Sequence, residues 1–99
     1  MLLITGTVKL PASRMDTARP IMAAMVEASR AEAGCLEYAY SEDVLEPGLI
    51  HINERWTDRA ALSEHARTPH LATWRAKGAS LGIGDRNLRL YEVGESEPI

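Results

Sequence analysis

Two of the three histidines, His65 and His70, bracket the stretch HARTPH. Imidazole titrates nearest neutrality of all side chains, so a close pair suggests metal ligation or proton transfer. Five residues on one helix rotate through roughly 500°, about 140° out of alignment, so an unbroken helix would turn the two rings to different faces. Thr68-Pro69 removes that obstacle. Threonine is a good helix cap and proline a good first helical residue, so one helix ends near His65 and a second starts at Pro69. A glutamate is the next anomaly. In the alternating run 50–56, Glu54 shares a face with Ile50, Ile52 and Trp56, and a carboxylate in an apolar stripe needs a partner or a task. Tyr38 points to the same side from the neighbouring strand. His65, His70, Glu54 and Tyr38 are therefore the candidate acid–base groups, and Trp56, Trp74 and Leu71 the candidate walls of a pocket for a flat ring.

Each residue also has a structural reading. Glu54 can pair with a histidine or with Arg55, the histidines can be satisfied core residues, the tryptophans can be packing, and Tyr38 can lend its hydroxyl to a core hydrogen bond. Glu54 with two histidines matches a two-histidine, one-carboxylate metal set in composition, but the spacing resembles no ligand motif and no metal is expected. The glycines at 82 and 84 lack the strand–helix context of a dinucleotide loop, and no nucleophile elbow is present.

The elements that must position these residues follow from periodicity. Residues 2–10 alternate, with Leu2, Ile4, Val8 and Leu10 on one side, and Pro11 ends the strand. Residues 17–33 read as a helix with the stripe Ala18, Ile21, Met22, Met25 and Val26. Asp16 or Thr17 would cap it, Pro20 would fall in its first turn, and Gly34 would stop it. A second strand spans 35–42, with Leu36, Tyr38 and Tyr40 on one face. Pro47-Gly48 turns the chain into a third strand at 49–56. A helix at about 58–67 starts from Thr57 or Asp58, and the next carries His70, Leu71, Trp74, Gly78 and Leu81 inward and Thr73, Arg75 and Lys77 toward water. Residues 82–85 close that helix, and 86–93 form a fourth strand. The order βαββαβ is the ferredoxin-like α+β arrangement, a four-stranded antiparallel sheet with helices on one face. The other face would carry Leu3, Thr5, Thr7, Ala39, Asn53, Tyr91 and Val93. That mixture is too apolar for water, so a second copy is expected to pack on it as a two-fold dimer, giving a dimeric α+β barrel.

Composition sets outer limits. Ninety-nine residues, 45% hydrophobic and 25% charged, suit one domain, assigned here to 1–94 with a polar tail at 95–99. The net charge of −3 is spread without a basic stripe, which argues against nucleic acid or anionic membrane as partner. The single cysteine, Cys35, rules out an internal disulfide framework and reads as a small buried hydrophobe. The apolar start reads as a strand and no run is long enough to cross a membrane, so a reducing, cytoplasmic setting is expected.

The segments EAGCLEY (32–38) and NERWTDRAALSEHARTPH (53–70) resemble the antibiotic biosynthesis monooxygenase (ABM) family. Glu32, Gly34, Cys35, Tyr38, Glu54, Trp56, Ala61, Leu62, His65, Thr68, Pro69 and His70 fit its pattern position by position. The small bacterial quinol monooxygenases are the nearest look-alikes. The resemblance implies a dimeric ferredoxin-like fold with a pocket between each sheet and its helices. It also implies oxygenation of a quinol or related phenol by O2, without metal, flavin or haem. Haem-degrading relatives use an asparagine on the first strand and a tryptophan where His65 stands, and neither is found here. On this reading His65 or His70 is the base, tuned by Glu54, Tyr38 donates to the substrate oxyanion, and Trp56, Trp74 and Leu71 enclose the ring. Two other classes use the same residues: an isomerase or lyase on a small oxygenated metabolite, and a non-catalytic ligand-binding dimer.

Overall fold

The computed structural model describes residues 1–99. Its elements are β1 (Leu2–Lys9), α1 (Met15–Arg30), β2 (Cys35–Glu42), β3 (Leu49–Trp56), α2 (Arg59–Ala66), α3 (Pro69–Leu81) and β4 (Gly84–Glu92). The strands pair antiparallel in the order β2-β3-β1-β4, which is the expected ferredoxin-like α+β fold. The sheet face bearing Leu2, Val8, Tyr38, Ile50, Ile52 and Trp56 is buried under the helices together with Ala18, Met22, Met25, Leu71, Trp74 and Leu81. On the opposite face Leu3, Thr5, Thr7, Ala39 and Asn53 are half-buried and Tyr91 is exposed. The Thr5 hydroxyl there donates to Asn53 Oδ1 at 2.9 Å.

Three boundaries differ from the periodicity. Helix α1 starts at Met15 after a 3-10 turn at Ala12–Arg14, with no side-chain cap. Pro20 is then the sixth residue of the helix rather than a first-turn residue. The buried methionine explains the early start: Met15 extends the Ala18, Met22, Met25 stripe by one turn toward the N-terminus, and that burial outweighs the hydrogen bond Pro20 cannot donate. The same helix stops at Arg30, three residues before its expected end at 33. In β2 the register slips between Cys35 and Glu37. This bulge turns Leu36 outward, 48% exposed, instead of onto the face of Tyr38 and Tyr40. Strand β4 runs from Gly84 to Glu92 rather than 86–93.

The pairing of β1 with β4 depends on Gly6. A Cβ at this position would lie 1.9 Å from the Asn87 carbonyl oxygen, so only glycine permits the two backbones their approach. The last residues, 93–99, form no helix or strand. No helix is long and apolar enough to cross a membrane.

Candidate active site

The corner between α2 and α3 does what the threonine–proline pair suggests. Asp58 caps α2 by accepting from the Ala61 amide at 2.8 Å. At the other end Thr68 serves both helices. Its hydroxyl donates to the His65 carbonyl at 2.8 Å and faces the Leu71 amide at 3.4 Å. Pro69 occupies the first turn of α3, where a missing N–H costs nothing. The corner brings the two imidazoles to 6.0 Å between ring centroids.

What joins them is Glu32. Its Oε2 accepts from His65 Nδ1 at 2.6 Å and from His70 Nε2 at 2.8 Å. The early stop of α1 makes this possible. Residues 31–34 form a turn held by Glu32 N–Ser29 O, Cys35 N–Glu32 O and Thr57 N–Gly34 O bonds. Continued to 33, the helix would have set Glu32 on its own buried stripe, seven residues after Met25 and three after Ser29; the turn sets it against α2 and α3 instead. Gly34 completes the turn at φ +83, and a Cβ there would meet Ala61 Cβ at 2.6 Å and Thr57 Oγ1 at 2.8 Å. Sequence periodicity missed Glu32 as a site residue. The signal that held it was the family pattern, in which it stands two residues before Gly34.

Glu54 therefore does not tune the histidines by direct contact. It is buried and accepts from its own neighbour on the same face, Trp56 Nε1, at 3.0 Å. Burial raises its carboxyl above the ordinary range, while the Trp56 hydrogen bond and the field of His65 pull in the opposite direction. Both acids are satisfied, and no buried side-chain polar atom lacks a partner.

His65 is the hinge of the constellation. It is 4% exposed, 4.6 Å from Trp56 and 5.3 Å from Tyr38 by ring centroids. With Nδ1 committed as donor to a carboxylate, neutral His65 carries its lone pair on Nε2. Nε2 lies 3.5 Å from the Tyr38 hydroxyl, the outer limit of a hydrogen bond, which leaves it available. It opens on a cavity of about 320 Å³ between sheet and helices, with ten hydrophobic residues among its fifteen, a size and lining suited to one small ring system. Tyr38, Glu54, Leu71, Trp74 and His65 all line it. Tyr40, not foreseen as a site residue, lines it too, stacked on Tyr38 at 5.7 Å and edge-on to Trp74 at 5.8 Å. Burial pushes the Tyr40 phenol up to about 12 and raises that of Tyr38 further, so both stay protonated donors.

Two expected site residues stand outside the lining. Trp56 has no exposed surface and supports Glu54 from below. His70 is half-buried and is joined to the site through its hydrogen bond to Glu32 and its packing beside His65. Arg75 and Arg86 complete the rim. Cys35 is half-buried rather than fully so, and burial raises its thiol above the usual range.

Glu32, His65 and His70 are also a set of donor atoms lying within 4.8 Å of one another that could hold a metal ion. A zinc-sized ion with bonds of about 2.0–2.1 Å would spread tetrahedral ligands to about 3.3 Å. The observed 2.6 and 2.8 Å contacts are instead hydrogen-bond lengths, so the set is arranged as two imidazoles on one carboxylate.

The family model described as antibiotic biosynthesis monooxygenase matches residues 1–77. A Bacillus subtilis protein provisionally assigned as a monooxygenase, YcnE, is 30% identical over 81 residues, covering 82% of this chain and 85% of that one. A Mycobacterium tuberculosis protein with the same provisional assignment, Rv0793, is 36% identical over 63 residues, 64% of this chain and 61% of that one. Among solved structures, a Deinococcus radiodurans protein described in the same provisional way as an antibiotic biosynthesis monooxygenase superposes with a TM-score of 0.91. It shares 30% identity, covering 100% of this chain and 98% of that chain.

Proposed function

Because the chain belongs to the antibiotic biosynthesis monooxygenase family, we propose that it oxygenates a quinol or related electron-rich phenol with O2, using no metal, flavin or haem. The observation that carries this reading is His65 in the wall of a ring-sized, mostly apolar cavity, with Nδ1 anchored on Glu32 and only a long 3.5 Å contact from Nε2 to the Tyr38 hydroxyl. Nε2 takes the proton of the substrate hydroxyl, and the imidazolium formed is stabilised by the Glu32 carboxylate. Tyr38 and Tyr40 donate to the phenolate oxygen. The phenolate then passes an electron to O2, the radical pair closes a C–O bond, and the O–O bond breaks with release of water. For a quinol the sum is quinol plus O2 giving hydroxyquinone plus water. The substrate supplies all four electrons, so no outside reductant enters. Leu71 and Trp74 keep bulk water from the intermediates.

The working unit in this reading is a homodimer, packed through the sheet face of Leu3, Thr5, Ala39, Asn53 and Tyr91. The test is oxygen uptake against a panel of quinols and anthrones in the presence of a chelator. His65→Gln is expected to lower turnover by about 10²–10⁴. His70→Gln, which removes only one of the two bonds to Glu32, is expected to lower it far less. Equal turnover by His65→Gln and the unaltered chain would end the base assignment. Turnover that continues unchanged without oxygen would instead make the protein an isomerase or lyase.

A further inference from the structure

We propose that the substrate is an aromatic acid, and that Arg75 and Arg86 bind its carboxylate at the cavity rim; this rests on the cavity receiving an aromatic ring. The two guanidiniums come from separate elements, α3 and β4, yet line one cavity. Neither belongs to any of the nine ion pairs. Arg14, Lys77 and Arg89 also hold no carboxylate, but none of them lines this cavity. Arg19, Arg55, Arg59 and Arg67 each hold a carboxylate, and Arg30 donates to the Tyr38 carbonyl. A guanidinium is a planar fork matched to a carboxylate, and two free ones beside a mostly apolar opening form a receptor for an anion attached to a ring.

Orientation follows from the charges. The inner end of the cavity contains Glu54, with Glu32 behind His65, so a second carboxylate buried there would meet like charge. The anionic end must therefore face outward and the reacting hydroxyl inward, toward His65 Nε2. The field of Arg86 reaches these inner groups: it draws both the Glu54 carboxyl and the Tyr40 phenol downward. It thus also favours negative charge developing on the substrate oxygen.

A matched pair of probes isolates the carboxylate: 6-hydroxy-2-naphthoate, whose hydroxyl and carboxylate lie at opposite ends of the ring system, and 2-naphthol, titrated calorimetrically into the full chain. The acid is expected to bind at least about tenfold tighter, with the preference shrinking as salt rises. Arg75→Gln and Arg86→Gln should each reduce that preference, and the double variant should abolish it. Both side chains are exposed, so the variants should fold, which circular dichroism checks. Arg89→Gln is the control: Arg89 stands opposite Thr5 in the register, on the other face of the sheet, and its loss should not alter the preference. Equal binding of the two probes overturns the proposal and leaves the ring-binding cavity intact. A preference that survives the double variant, or falls equally with Arg89→Gln, overturns it as well. Binding of neither probe overturns both the proposal and the reading of the cavity.

Discussion

At the residue scale, one carboxylate oxygen organises two imidazoles, and a second, buried carboxylate is kept apart from them. Glu54 illustrates how a site residue strains the fold that houses it. Its pKa is raised above the ordinary 4.5 by burial, so the unfolded chain gives up this proton at lower pH than the folded one. The stabilising contribution is full below about 4.5 and is lost as pH rises through the elevated folded value. Glu54→Gln keeps an acceptor for Trp56 Nε1 and removes the charge. Its melting temperature should match the unaltered chain at pH 4 and exceed it by a few degrees at pH 7. A gap that does not widen with pH would contradict this. The sequence displayed Glu54 plainly, because a glutamate in an Ile-x-Ile-x-Glu-x-Trp run violates the alternation. Glu32 broke no rule of that kind. It sits in an acidic, alanine-rich stretch at the end of a helical pattern, where a carboxylate is ordinary, and only the turn that follows α1 reveals its role.

At the element scale, local signals were readable wherever side chain and backbone agreed. Thr68-Pro69, Asp58 and the alternation of β3 each specify their structure with a few residues, and the strands and both later helices lie within two residues of expectation. Helix α1 departs from its sequence pattern at both ends because its limits depend on distant partners. The start is drawn forward by burial of Met15, and the turn that ends it is held by the Thr57 N–Gly34 O bond just past β3. The bulge at Leu36 is likewise a property of pairing, since only the register with Trp56 and Arg55 exposes it. Pro20 gives the corresponding prediction. It is exposed and deprives the Asp16 carbonyl of its helical donor, so Pro20→Ala should stabilise the protein by about 1–3 kcal/mol, read as a shift in the denaturant midpoint. No gain would mean that the first turns of α1 owe their stability to packing alone.

At the scale of the whole molecule, the sheet separates two kinds of surface. One side is closed by helices around the cavity. The other leaves Leu3, Ala39, Asn53 and Val93 half-buried and Tyr91 exposed in a single chain. The proposed dimer makes a direct forecast: sedimentation should give the mass of two chains, and Asn53→Arg, a charge on a central strand of that face, should shift it toward one. A single-chain mass for the unaltered protein would remove the dimer. Gly34 has no functional group and touches no substrate. Only glycine fits between Ala61 and Thr57 at its φ of +83, and this turn alone hands Glu32 to the histidines. In a library randomised at every position and selected for turnover, position 34 should be as intolerant as position 65. A map of sensitivity drawn from such a selection would mark as active-site a residue that contributes only empty space.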